Sequence, residues 1–191
     1  ILVSDKSGEP QLEIYKTDQL NKVDILDKVN LGRPYNIIVS PKKDQIVVVN
    51  HKHEFLLIDL KTQKTITFDR SKHHFAFEAD WSPDGRYIAY SCSFNSRVSI
   101  IKIYDIKTKK SYPVSQPILN DYSPKFDPSG QYLAFLSERT FNPVYDSLQF
   151  ELSFPRADRP YVVMLRKDID TPLIKKPEPL IESPSDSKEK E

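Results

Sequence analysis

WSPDGRYIAY, Trp81 to Tyr90, sets a turn directly in front of a run of bulky residues. Proline fixes φ for the second turn position, and Asp-Gly supplies the two that follow. The stretch EADWSPDGRYIAYSC, from Glu78, has two counterparts: NIIVSPKKDQIVVVN from Asn36 and SPKFDPSGQYLAFLS from Ser123. Each reads as a short strand, a Ser-Pro or Asp-Pro turn, and an apolar strand. Pro41, Pro83 and Pro128 fall 42 and then 45 residues apart. Asp84-Gly85 and Ser129-Gly130 complete two of the turns, while Lys43-Asp44 makes the first copy less ideal. Pro41, Pro83, Asp84, Gly85, Pro128 and Gly130 are therefore structural turn residues of a repeat.

A second module follows each turn unit. HEFLLIDLKTQK and VSIIKIYDIKTKK are alternating strands with Asp-x-Lys-Thr tails, and QLEIYKTDQLNK is an earlier relative. Short last strands come next: TITFD from Thr65, SYPVS from Ser111 and KVDIL from Lys22. No segment keeps a helical period, so almost no helix is expected. Four antiparallel strands at this period predict an all-β fold, a β-propeller blade repeated along the chain. IVVVN and YIAYSC are nearly all apolar, as strands packed between blades on both faces should be. IIKIYDI alternates more, which predicts an outer strand. A β-sandwich would not explain the fixed order of the two turn types. The expected blades are 1–28 (incomplete, its last three strands), 34–72, 73–116 and 117–166. Residues 167–191, charged and rich in Pro and Ser, read as a linker or disordered tail. About four four-stranded blades make a partial propeller, an arc of a larger ring.

Composition narrows the function. The 191 residues carry a formal net charge of +1, which gives no electrostatic reason to expect nucleic acid. No apolar run approaches the roughly 20 residues of a membrane span. Four glycines, Gly8, Gly32, Gly85 and Gly130, stand far apart, which excludes a Walker A or dinucleotide-binding loop. One cysteine, Cys92, excludes an internal disulfide framework and suits a reducing, cytoplasmic compartment. The opening ILVSDKSGEP reads as a start in mid-strand, hence a fragment or processed product.

The last repeat is interrupted. After YLAFLSE comes RTFNPVYDSLQFELSFPRADRPYVVMLRKD, Arg139 to Asp168, a long aromatic insertion before the strand YVVML. Together with WSPDGRYIAYS and FDPSGQYLAFLSER, this phrase closely resembles the larger, seven-bladed propeller of tricorn proteases, over the chain to about Asp168. The Ser-Pro-Asp-Gly turn alone is shared with TolB-like and prolyl-oligopeptidase propellers. The resemblance implies a cytosolic serine peptidase that degrades oligopeptides, with the propeller acting as channel or filter for peptides. It implies as partners the remaining blades, the catalytic domains and oligopeptide substrates, in a possible oligomer. The family's catalytic and PDZ segments have no match here, so no catalytic residue is carried over. Two other readings stay open: a stand-alone TolB/WD40-like scaffold, or the propeller cap of a prolyl-oligopeptidase-type enzyme.

Individual candidates are few. There is no G-x-S-x-G, and the serines fall in turns or at strand ends, so no catalytic residue is expected. Cys92 ends an apolar strand and reads as a buried structural thiol. His51 and His53 would share one face if they lie on a strand. With His73 and His74 one blade later, they could cluster at one rim and contact peptide. A metal site at these histidines is the weaker alternative, so no metal or cofactor is expected. Phe141, Tyr145, Phe150 and Phe154 read as a hydrophobic cover over the blade edge, with a peptide-binding surface as the alternative. Trp81 is expected to pack between blades.

Overall fold

The computed structural model describes residues 1–16, 18–73, 78–147, 151–171 and 173–174. His74, Phe150 and most of the 167–191 segment lie outside the described residues. The described chain is built of strands and turns, without helix.

The strands follow the repeat. β1 (Leu2–Ser4), β2 (Gln11–Lys16) and β3 (Gln19–Leu26) form one antiparallel sheet. β4 (Pro34–Val39), β5 (Gln45–Asn50), β6 (Glu54–Asp59) and β7 (Thr65–Arg70) form the second, in chain order. β8 (Ala79–Trp81), β9 (Tyr87–Ser93), β10 (Ser99–Asp105) and β11 (Lys110–Pro113) form the third. β12 (Asp121–Phe126) and β13 (Tyr132–Ser137) begin the fourth. The chain then leaves to make a separate hairpin, β14 (Val144–Asp146) with β15 (Glu151–Ser153). It returns as β16 (Arg159–Met164) beside β13. Among the described residues the fourth sheet therefore has three strands rather than four.

The turns explain the register. Gly85 and Gly130 sit at φ 68° and 70°, where a Cβ is unfavourable. Each donates its N–H back across the turn at 2.8 Å, to Ser82 O and Asp127 O. The third strand is tied to the same turn in all three copies. Leu60 donates its N–H to Asp44 O, Ile106 to Arg86 O and Leu165 to Gln131 O, at 2.9, 3.2 and 2.9 Å.

Strand alternation then builds the seams between sheets. On β5 and β6, Ile46, Val48, Leu56 and Ile58 face the first sheet and pack on Leu12, Leu26, Val29 and Leu31. Val47, Val49, Phe55 and Leu57 face the other way, against Trp81, Ile88, Tyr90 and Tyr104. Ala89 and Ile101 repeat the pattern against Leu133 and Phe135 of the fourth sheet. Burying each such side chain contributes about 1.5–3 kcal/mol, so a strand apolar on both faces is worth most between two sheets. β5 and β9, the second strands of the two four-stranded sheets, are buried on both faces. So, contrary to its outer-strand reading, is most of β10, including Ile100, Ile101 and Tyr104. Its polar alternation marks Lys102, which reaches across a seam, rather than a solvent face.

The sheets stand as blades. β8 packs against β4 on one side and β12 on the other, so the first strands lie innermost. β7 and β11, the last strands, meet at the outside. Because all neighbours are antiparallel, connections alternate between two rims. One carries the tight Pro turns; the other carries the longer loops.

Candidate functional site: the innermost strands and the loop rim

The innermost strands are stitched together by polar side chains. Trp81 Nε1 donates to Ile38 O at 3.1 Å, so its indole fills the seam and ties β8 to β4. Asp80 Oδ2 accepts the Phe126 N–H at 2.8 Å, and its Oδ1 pairs with Lys125 Nζ at 3.2 Å. Asp121 O accepts from the hydroxyls of Ser91 and Ser99, at 2.8 and 2.9 Å. Tyr35, Val39 and Lys125 remain exposed on these strands. β4 and β12 each carry a register shift, and Ser123 in the latter has a φ of 51°.

His51, His53 and His73 lie on the loop rim. His51 and His53 are in the connection from β5 to β6, and His53 has a φ of 58°. His51 Nδ1 accepts the Arg33 N–H at 3.0 Å, which fixes the chain entering β4. A Cβ on Gly32 would come within 2.8 Å of that ring, so glycine is required there for space as well as for its φ of 61°. His53 O accepts the Ser71 N–H, and Ser71 Oγ donates to His73 O, which brings His53 and His73 around one serine. Among the described residues no cluster of three or more His, Cys, Asp or Glu could hold a metal ion. Among the described residues no helix is long and apolar enough to cross a membrane.

Cys92 is buried between the second and third sheets, and burial pushes its thiol pKa up, the opposite of nucleophile activation. Beside it Tyr90 Oη donates to Asp69 Oδ2 at 2.7 Å, and Lys102 Nζ pairs with the same oxygen at 2.9 Å. This polar cluster spans a seam and was invisible in the sequence, since its members come from β7, β9 and β10.

The described large apolar residues of the insertion are exposed rather than packed as a cover over the blade edge. Phe141, Tyr145, Leu152 and Phe154 are 78, 61, 60 and 42% exposed. The polar residues at its two ends do the holding. Arg139, where the insertion leaves β13, donates from Nη2 to both oxygens of the fully buried Asp121, at 2.8 and 2.6 Å. Its guanidinium lies over the Phe135 and Tyr161 rings, 5.9 and 5.2 Å from their centroids. Asp158, where it returns, accepts from Tyr122 Oη at 2.7 Å. That bond pushes the Tyr122 phenol up to about 12. Both anchors are on β12, an innermost strand.

On the opposite rim a cavity of ≈ 550 Å³ opens between the third and fourth sheets, lined by Pro83, Tyr87, Ile103, Phe126, Gly130 and Leu165 among others. Register explains it. Phe126 and Val163 stand where Trp81 and Tyr104 fill the preceding seam.

Sheets stacked by their faces around innermost first strands define this as an arc of a β-propeller. The family model for the "Tricorn protease second beta propeller domain" matches residues 1–191, and the chain belongs to that family. A tricorn protease homolog of Saccharolobus solfataricus is 32% identical over 159 residues, 83% of this chain and 14% of the relative. Tricorn protease homolog 1 of Streptomyces coelicolor is 29% identical over 178 residues, 90% of this chain and 16% of the relative. The crystal structure of the tricorn protease superposes with a TM-score of 0.82 at 25% identity, covering 89% of this chain and 17% of that one. A TolB structure from Agrobacterium tumefaciens, at 15% identity and a TM-score of 0.54, shares the fold alone. The chain thus spans about one sixth of the length of these tricorn relatives.

Proposed function

We propose that this chain is a non-catalytic propeller section of a tricorn-like serine protease, gating or filtering peptide access to a catalytic core elsewhere in a longer protein. The observation that carries the reading is the wall formed by β4, β8 and β12, stitched through Trp81, Asp80 and Lys125. A ring of such strands selects sterically: extended peptides pass and folded proteins do not. The loop rim, with His51, His53 and His73, is in this reading the side that meets peptide. Further blades of the same protein are the natural neighbours of the two end sheets. The outer face of the first exposes Leu2 and Ile25, and that of the fourth exposes Met164. A cytoplasmic setting fits the single, buried, unpaired cysteine.

The test is direct. The purified chain should hydrolyse no oligopeptide in a fluorogenic peptidase assay. Clear turnover by the chain itself, resistant to repurification, would refute the assignment of catalysis to another part of the protein.

A further inference from the structure

We propose that one face of the β14–β15 hairpin is an arm that binds an extended peptide by an apolar side chain and an adjacent carboxylate. The proposal rests on the peptide-admission reading above, and it assigns a contact surface within it. Tyr145 stands directly opposite Leu152 in the hairpin, so both project from the same side. Phe154, two residues beyond Leu152, continues that side, and Phe141 packs on it with ring centroids 5.1 Å apart. The result is a row of four large apolar side chains, each at least 42% exposed. A contiguous exposed apolar row of this kind marks an interaction site.

The charges beside the row choose the occupant. Arg156 and Arg159 follow Phe154 closely and are exposed, and among the described residues neither side chain pairs with an acid. Arg139 and Asp158, by contrast, are spent on anchoring. Arg156 lies in the turn that Ala157 N–H closes onto Phe154 O, and Arg159 opens β16 just after it, so two guanidiniums without an acid partner follow the apolar row along the chain. They complement a carboxylate that follows a large apolar side chain, because guanidinium binds carboxylate through paired N–H bonds. β14 and β15 form a two-stranded sheet that no further strand joins among the described residues, and an extended chain adding to such an edge is the usual way a peptide joins a sheet. The two anchors on β12 hold the arm beside an innermost strand, so little ordering is left for the moment of binding.

The experiment uses the 191-residue chain and a fluorescein-labelled hexapeptide ending in Phe-Leu, with either a free C-terminal carboxylate or a C-terminal amide. Binding is read by fluorescence anisotropy at low salt. The expected result is binding of the carboxylate form, weakened about tenfold by the amide and by Arg156→Gln/Arg159→Gln, as loss of a charge-assisted contact requires. Phe141→Ser/Phe154→Ser should weaken it at least as much, with Trp81 fluorescence unchanged to show that the seams are intact. Equal binding by all variants and both peptides would overturn the arm while leaving peptide contact elsewhere on the chain. No binding of either peptide would overturn the arm and remove the chain itself as a peptide-contact surface. Concentration-dependent dimerisation abolished by Phe141→Ser/Phe154→Ser would reassign the row to a contact between copies, and overturn the proposal.

Discussion

Arg139→Ala should be among the most damaging single substitutions in this chain, although arginine is ordinarily a surface residue. Asp121 has no exposed surface, and both its carboxylate oxygens are taken by Arg139 Nη2. Removing the guanidinium leaves a buried carboxylate without its counter-charge, which costs about 3–5 kcal/mol in comparable pairs. The Arg139 side chain is 21% exposed, so the pair is partly screened and the lower half of that range applies. Lost stacking over Phe135 and Tyr161 adds about 0.5–1 kcal/mol. Asp121→Asn/Arg139→Met removes both charges and keeps the volume, so it should come within about 1 kcal/mol of the wild type. Urea unfolding followed by Trp81 fluorescence measures all three proteins. An Arg139→Ala cost below about 0.5 kcal/mol would place the pair with ordinary surface ion pairs and refute the reasoning. So would a double variant no better than the single.

Two further outcomes follow from the turns. Gly85→Ala should destabilise more than Gly130→Ala, by thermal denaturation. Both lie at positive φ, but a Cβ at Gly85 meets Lys42 Cβ at 3.0 Å whereas at Gly130 nothing is closer than 3.9 Å. The second should therefore show only the backbone cost, about 1–2 kcal/mol. Asp105, hydrogen-bonded by the Arg86 guanidinium, is held down to about 2 from an ordinary 3.8. A depressed carboxylate stabilises the fold above its unfolded pKa, and that contribution fades as pH falls from about 4 through 2. Arg86→Gln should flatten stability against pH in that window; an unchanged acid profile would contradict it.

Much of the fold was legible because its signals are local. Proline with Asp-Gly or Ser-Gly writes the turn, and an apolar run such as YIAYSC writes a strand buried on both faces. Trp81 and Cys92 were placed correctly for the same reason. The candidate site was less legible. His51 and His53 were readable as strand-end or loop residues, and the turn between β5 and β6 does begin at His51, but nothing local shows that its ring accepts the Arg33 N–H. The aromatic insertion looked like a hydrophobic cover because its apolar content is plain in sequence. Its anchors are not: Asp121 with Arg139, and Tyr122 with Asp158, are polar residues paired across 18 and 36 positions. Contacts across seams, such as Asp69 with Tyr90 and Lys102, depend on how blades stack, which no local pattern encodes.

Peptide selection by the innermost strands, as proposed above, is open to a direct measurement. In a tricorn-like protease carrying these blades, Val39→Trp, at an exposed position of β4, would crowd those strands while leaving the Asp80–Lys125 pair and the Trp81 seam in place. Turnover should be compared on a long unfolded peptide and on a short chromogenic substrate. A selective loss is expected for the long peptide, with the short substrate cleaved at the normal rate. Equal rates on both substrates, unchanged from the wild type, would contradict it.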